Sequence, residues 1–353
     1  MSDQAAPGTI PVRENHRFDE AALARHLAAH VEGFSGALTV RQFQGGQSNP
    51  TFLLSAGGKD YVMRKKPPGQ LLPSAHAVDR EYKVITALRG TGVPVPRTFC
   101  LCVDDGVIGQ WFYVMEYIPG RILTDTLLPT ETKANRRAIY DDLARVLAEL
   151  HKVDYAAVGL GYFGKPTDYI RRQFQRWAKQ YEASKTDDIP EMDRLMAWIP
   201  DRVPPRDESA VVHGDYRLGN VIMHPSEPRI VAVLDWELAT LGHPLSDLAY
   251  NCMNYHLGQQ NFRGFGNIDL AALGIPSESE YLATYCRHVG RADIPDWEFY
   301  IVFSLFRIVA ILQGVYKRGL QGNASDATAI ERGKEAVAIA RETWAIVERR
   351  KKS

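Results

Sequence analysis

The chain is predicted to be an α+β protein built in two parts, and three observations carry that reading. Period-two apolar patterning fills residues 38–65 and 97–117 and is broken by one helical stretch at 78–89. After Pro119-Gly120 the pattern turns to amphipathic helices. The length, 353 residues, is sufficient for two hydrophobic cores. The expected division is a small antiparallel sheet lobe with one main helix over residues 1–118, of which 1–17 read as a flexible arm, and a larger, mostly helical lobe over 119–353.

Each element has a local reason. Phe18 to Val31 has helical apolar spacing, with Asp19 and Glu20 placed where the positive end of the helix dipole favours them. Leu38–Phe43 and Thr51–Ser55 read as strands flanking Gln44-Gly45-Gly46-Gln47-Ser48-Asn49-Pro50, and Lys59–Lys65 as a third. The helix at 78–89 stops near Gly90, with Pro94 and Pro96 beyond it. Two more strands, 97–103 and 111–117, are joined by a turn at Asp104-Asp105-Gly106. Helices are expected at Arg136–His151, Tyr169–Ser184, Asp193–Trp198, 244–257, 278–289, 297–318 and 328–349. The apolar run Phe299–Tyr316 contains Ser304, Arg307, Gln313 and Gly314, and so reads as a buried helix rather than a membrane span.

Composition excludes some classes of function. Forty-two basic residues balance forty-two acidic ones, so there is no global basic field and nucleic acid is not an expected partner. Cysteines at 100, 102, 252 and 286 form no paired CxxC pattern. Buried reduced thiols are expected rather than a zinc site. Met1–Pro11 is polar and lacks a signal-peptide apolar core. A soluble, cytoplasmic protein without a membrane partner is expected.

The densest chemistry lies in His213-Gly214-Asp215-Tyr216-Arg217-Leu218-Gly219-Asn220, followed by Leu234-Asp235-Trp236-Glu237 at the end of an apolar run. His-Gly-Asp alone is an ordinary turn triplet. The five-residue step from Asp215 to Asn220, the strand-like run ending at Asp235, and Asp247 twelve residues later make it more than a turn. One carboxylate can take the proton of a substrate hydroxyl, while an amide oxygen and a second carboxylate suit a hard cation on phosphates.

H-G-D-x-x-x-x-N, then L-D-W-E, then G-H-P-L-S-D-L-A resembles the aminoglycoside phosphotransferase superfamily, which has a protein-kinase-like fold. Tyr162-Phe163-Gly164-Lys165-Pro166 with Arg172-Gln173-Phe174-Gln175-Arg176-Trp177 resembles the branch that includes the kinase-like region of acyl-CoA dehydrogenase family members 10 and 11. The resemblance runs from about residue 35 to the C-terminus.

The resemblance implies ATP and Mg²⁺ as cofactors, Asp215 as the group that orients and deprotonates the acceptor hydroxyl, and Asn220 and Asp235 as metal ligands. It gives His213 a role supporting its loop, and Asp247 one of capping or bracing. In the strand-turn-strand after Phe43, the Ser48 hydroxyl and the Asn49 amide are candidates to meet phosphate. Kinases place an Ala and a Lys two apart on one strand face, and Val62 and Arg64 take those positions. Arg64 is thus favoured for phosphate, with Lys65 the alternative because strand ends bulge. Glu81 matches the helix Glu that pairs with that cation. Val114-Met115-Glu116-Tyr117-Ile118 resembles the inter-lobe linker, where the Glu116 carbonyl and the Ile118 N–H would meet adenine. No separable activation segment lies between Asp235 and Asp247, which disfavours a phosphorylation-controlled protein kinase.

The resemblance implies a small-molecule alcohol as acceptor, and its branch implies a 4-hydroxy acid or its CoA thioester. Lys165, Arg171, Arg172, Arg176 and Lys179 stand among Tyr169, Phe174, Trp177 and Tyr181. They read either as a grip for an anionic or acyl-CoA ligand or as a solvated basic face over a buried aromatic stripe. Aminoglycoside phosphorylation is one alternative function, and a non-catalytic nucleotide-binding partner of an acyl-CoA dehydrogenase another. Homodimerisation is left open.

Overall fold

A computed structural model of the chain describes residues 8–44, 49–69, 76–261, 263–322 and 329–350. The elements run β1 (Thr9–Ile10), α1 (Glu20–His30), β2 (Thr39–Phe43), β3 (Thr51–Ala56), β4 (Lys59–Lys65), α2 (Val78–Leu88), β5 (Thr98–Cys102), α3 (Asp105–Ile108) and β6 (Phe112–Glu116). They continue with α4 (Lys133–Lys152), α5 (Tyr169–Ser184), α6 (Pro190–Trp198), β7 (Ala210–Val212), β8 (Val221–Met223), β9 (Ile230–Val233) and β10 (Thr240–Gly242). The last helices are α7 (Pro244–Cys252), α8 (Leu270–Leu273), α9 (Glu278–Val289), α10 (Trp297–Leu320) and α11 (Ala329–Arg350). The α+β class stands. The expected turn at Asp104-Asp105-Gly106 is instead the start of α3, because the Asp104 side chain accepts from the Gly106 N–H and caps a short helix.

Two compact units emerge: residues 1–120 with 231–239, and 121–230 with 240–353. A single cut after residue 118 therefore needs correction, since Val231–Ala239 groups with the first unit. The reason is local. The Val233 N–H donates to the Pro94 carbonyl at 2.9 Å, and Arg80 of α2 reaches the Ala239 carbonyl at 3.4 Å.

In the first unit, six strands among the described residues form one sheet in the order β1-β2-β3-β4-β6-β5, with antiparallel pairing throughout. Strand periodicity sorts its side chains. Phe52, Leu54, Tyr61, Met63, Phe112 and Val114 pack with Leu23 and Leu27 of α1 and with Ile108 of α3. The opposite face carries Arg64, paired in register with Tyr113. Asp19 caps α1 by accepting from the Ala22 N–H at 2.8 Å. Cys100 and Cys102 are buried in the same core, and burial pushes the Cys100 thiol up to about 12, as expected of inert thiols.

The second unit is built around α10, which packs against α11, α5 and α7. Trp297–Leu320 is long and apolar enough to cross a membrane by composition, but 83% of its apolar window is buried within the protein. It is thus the core helix of this unit. The short antiparallel pair β7 and β10 aligns Val212 with Thr240 and Ala210 with Gly242. Gly242 is required there, because a β-carbon would lie 2.7 Å from both the Tyr169 ring and Val212.

Candidate active site

In the first unit, Arg64 is the centre of a buried charge cluster. Its Nε lies 3.2 Å from Glu81 Oε2, and its Nη2 donates to Asp235 Oδ1 at 3.2 Å. A planar fork meets two carboxylates from separate nitrogens, whereas an ammonium would have to reach both from a single nitrogen. Tyr113 donates to Glu81 Oε2 at 3.1 Å and the Asn49 amide to Oε1 at 2.8 Å. Burial works against the Arg64 charge, but Glu81, then Tyr113 and Asp235, hold its pKa above the ordinary value. Burial also pushes the Glu81 carboxyl up, opposed by Arg64 and by those two hydrogen bonds. Asp235 itself sits in the left-handed region, at φ 64° and ψ 60°, a conformation that costs a non-glycine residue and that clusters at functional sites.

The remaining predicted nucleotide residues divide. Lys65 lies on the opposite face of β4, as period two demands. Its ammonium is 3.2 Å from Gln110 Oε1 and 5.8 Å from the Phe18 ring centroid, so the alternative to Arg64 falls. The Asn49 amide needs correction too. It is fully buried, spends its NH₂ on Glu81, and lies 3.2 Å through Oδ1 from His76 Nδ1, so it braces the ion pair and is not placed to cap phosphate. Ser48 lies outside the described residues. Glu116 ends β6, its side chain accepting from the Arg97 N–H at 3.1 Å. The Ile118 N–H donates to no described residue.

In the second unit, β7 delivers the chain into the loop His213–Asn220. Asp247, one turn into α7, receives the first two N–H groups of that loop: His213 at 2.7 Å and Gly214 at 2.9 Å. His151 of α4 lies 3.4 Å from the same carboxylate. Burial alone would raise the Asp247 carboxyl. The hydrogen bond and charge of His151, with the charge and N–H of His213, hold it below the ordinary value. Gly214 takes φ 83°, where a side chain would be strained, and its carbonyl accepts from Arg307 Nη2 of α10 at 2.7 Å. The Asp215 N–H donates to His213 Nδ1 at 3.2 Å, so His213 serves the loop.

The clamped loop presents the Asp215 carboxylate to several donors. Tyr250 of α7 donates its hydroxyl to Oδ1 at 2.6 Å, and the Asn220 amide donates to Oδ2 at 2.7 Å. Arg217 Nε reaches both oxygens at 3.3 and 3.2 Å. Burial and the Asp215 charge push the Tyr250 phenol upward, so it stays protonated and remains a donor. Asn220 also donates to the Asp215 carbonyl at 2.9 Å, which leaves its amide oxygen without a donor among the described residues. A carboxylate fixed in this way can orient a hydroxyl and take its proton.

Sequence reasoning missed Tyr250 and Arg307. Tyr250 stands three residues after Asp247, so one helix face carries both the loop brace and the carboxylate donor. Arg307 was visible only as a charge within an apolar run. The basic and aromatic residues of α5 take the blander of their two readings. Tyr169, Trp177 and Tyr181 are buried, Phe174 packs 5.5 Å from Phe306 of α10, and Arg171, Arg176 and Lys179 are exposed.

The chain resembles known proteins in sequence and in fold. The Phosphotransferase enzyme family (APH) matches residues 39–298. Acyl-CoA dehydrogenase family member 10 of Mus musculus is 46% identical over 341 residues, covering 96% of this chain and 32% of that protein. Acyl-CoA dehydrogenase family member 11 of Gallus gallus is 47% identical over 335 residues, covering 90% of this chain and 42% of that protein. The chain thus spans less than half the length of these relatives. A crystal structure from Ralstonia eutropha JMP134, provisionally described as an aminoglycoside phosphotransferase, superposes with TM-score 0.88 at 50% identity, covering 94% of this chain and 99% of that one. Aminoglycoside phosphotransferase APH(4)-Ia, crystallised with ADP and hygromycin B, shares the fold with TM-score 0.59 at 16% identity, covering 92% of this chain and 98% of that one. The chain belongs to the phosphotransferase enzyme family.

Proposed function

We propose that the protein transfers a phosphoryl group from Mg-ATP to the hydroxyl of a small molecule, a 4-hydroxy acid or its CoA thioester. The observation that carries the reading is the Asp215 carboxylate, oriented by Tyr250 and Asn220 on a loop clamped by Asp247. In this reading the acceptor oxygen bonds to the γ-phosphorus, the bond to ADP breaks, and the hydroxyl proton passes to Asp215. Transfer of this kind needs little covalent help, so the work of Asp215 is chiefly to position the hydroxyl.

The residues present suit the nucleotide and metal. The Asn220 amide oxygen and Asp235 Oδ2 receive no hydrogen bond from a described residue. Both are the hard oxygen donors that Mg²⁺ accepts while keeping water and phosphate oxygens as its other ligands. When bound, the metal would neutralise charge developing on the phosphates. Arg64, tied to Glu81 and Asp235, is the cation for phosphate oxygens. The Ile118 N–H, with the Glu116 carbonyl, supplies the main-chain pair for a purine.

The choice of acceptor rests on the long relatives, whose names are those of acyl-CoA dehydrogenases. A coupled ADP-release assay tests it, comparing 4-hydroxyacyl-CoAs, free 4-hydroxy acids and kanamycin-type aminoglycosides, with the Asp215→Ala protein as control. Turnover of the hydroxyacyl compounds by the wild type alone is expected. Turnover only of aminoglycosides would overturn the acceptor class, and ATP binding without turnover of any compound would favour a non-catalytic partner.

A further inference from the structure

Beside Asp215, wholly within the second unit, lies a small cavity of about 40 Å³. Tyr140, Tyr250, Tyr255 and Tyr281 line it, but their hydroxyls are already committed. Tyr140 donates to the Thr126 carbonyl, Tyr250 to Asp215, Tyr255 to the Pro276 carbonyl and Tyr281 to Asn251. The rings therefore present mainly apolar surface. The charged lining is different in kind: it consists of Arg217 and Arg263.

Arg263 makes no side-chain hydrogen bond to a described residue. Both guanidinium groups converge over Gly219, where an added β-carbon would collide with Arg217 Nη1 and lie 3.8 Å from Arg263 Nη1. Gly219 thus leaves room for the two cations to approach one point. Burial of its charged end, then Arg217 and Arg332, holds the Arg263 pKa below its ordinary value, as cation crowding should. Two like charges converging on a pocket, one of them without a carboxylate partner among the described residues, are an arrangement that an anion would relieve.

Resting on the phosphotransferase reading above, we propose that Arg217 and Arg263 form an oxyanion subsite that selects acceptors carrying a carboxylate or phosphate. Arg217 is the movable member. Its contacts with Asp215, 3.2 and 3.3 Å, are the longest that carboxylate makes with its three side-chain donors. The four contacts saturate the lone-pair sites of Asp215. An incoming hydroxyl must displace a donor, and Arg217 is the one with an anion to turn to. Acceptor binding thereby frees the base and pairs both arginines in one step. The oxyanion has two sources, the carboxylate of a free hydroxy acid or a phosphate of its CoA thioester.

The test compares four forms of one 4-hydroxy acid with wild type, Arg263→Leu and Arg263→Lys. The forms are the free acid, the CoA thioester, the pantetheine thioester without phosphates, and the neutral methyl ester. In steady-state turnover, Arg263→Leu is expected to raise KM roughly 10- to 100-fold for whichever anionic form is bound, from the loss of one charge-assisted contact. It should leave the KM of the neutral ester unchanged, and Arg263→Lys should recover part of the loss. A carboxylate source predicts the effect on the free acid, and a phosphate source predicts it on the CoA thioester but not on the pantetheine form. Equal KM for acid, thioesters and ester in wild type, or no KM change in Arg263→Leu, overturns the subsite. Calorimetric binding of the free acid and of the CoA thioester without nucleotide separates this from the parent reading. Binding lost in Arg263→Leu without any wild-type turnover would keep the subsite and sink the phosphotransfer. Absence of wild-type binding and turnover would sink both.

Discussion

Replacing Asp247 by alanine tests the mechanical basis of the site. Its carboxylate is buried, with 1% of the side chain exposed, and receives the His213 and Gly214 N–H groups at 2.7 and 2.9 Å. A hydrogen bond to a charged group is worth about 1.5–3 kcal/mol, so losing both costs roughly 3–6 kcal/mol. A domain of this size holds only about 5–15 kcal/mol in all. At about 2–4 °C per kcal/mol, the Asp247→Ala protein should melt roughly 6–24 °C below wild type. Asp247→Asn should recover little, because an amide offers one acceptor oxygen and turns an NH₂ toward a backbone N–H. The pH dependence has a definite sign. The folded carboxyl lies below its ordinary 3.8, so its stabilisation is complete above pH 3.8 and fades as pH falls through the lower, folded value. The gap between wild type and Asp247→Ala should be constant from about pH 5 to 8 and narrow in acid. Differential scanning calorimetry at several pH values measures it. A variant melting within about 1 °C of wild type at neutral pH, inside the scatter for a surface change, would refute the bracing argument.

Other expectations concern the chemistry. Asp235→Ala should abolish the Mg-dependent part of nucleotide binding, read as loss of the difference between titrations with and without Mg²⁺; an unchanged difference would remove Asp235 from the metal. Arg64→Lys, which must reach Glu81 and Asp235 from a single nitrogen and offers phosphate no planar fork, should weaken ATP binding about 10-fold, measured by calorimetry. Tyr250→Phe removes the shortest contact to Asp215. It should lower kcat about 10- to 100-fold with little change in ATP affinity, and equal kcat in rapid-quench turnover would show that the phenol is dispensable.

The local grammar of the chain carried most of the architecture. Alternation placed β3 and β4 almost to the residue, and it placed Arg64 and Lys65 on opposite faces, since a strand leaves no other choice. The spacing of Asp215, Asn220 and Asp235 likewise singled these residues out, since in the proposed reaction hydroxyl activation and a hard cation would each demand a particular donor. Partners distant in sequence were not readable. Asn49 looked like a phosphate donor but braces Glu81, 32 residues away. Tyr250 reaches Asp215 across 35 residues, and Arg307 reaches Gly214 across 93. Residue type and period determine which face a side chain occupies, whereas packing of α7 and α10 against the loop determines what it meets there. The same holds for α5, whose aromatic residues could have gripped a ligand until α10 buried them. Hydrogen bonds and burial between remote segments depend on three-dimensional proximity, and no local pattern encodes it.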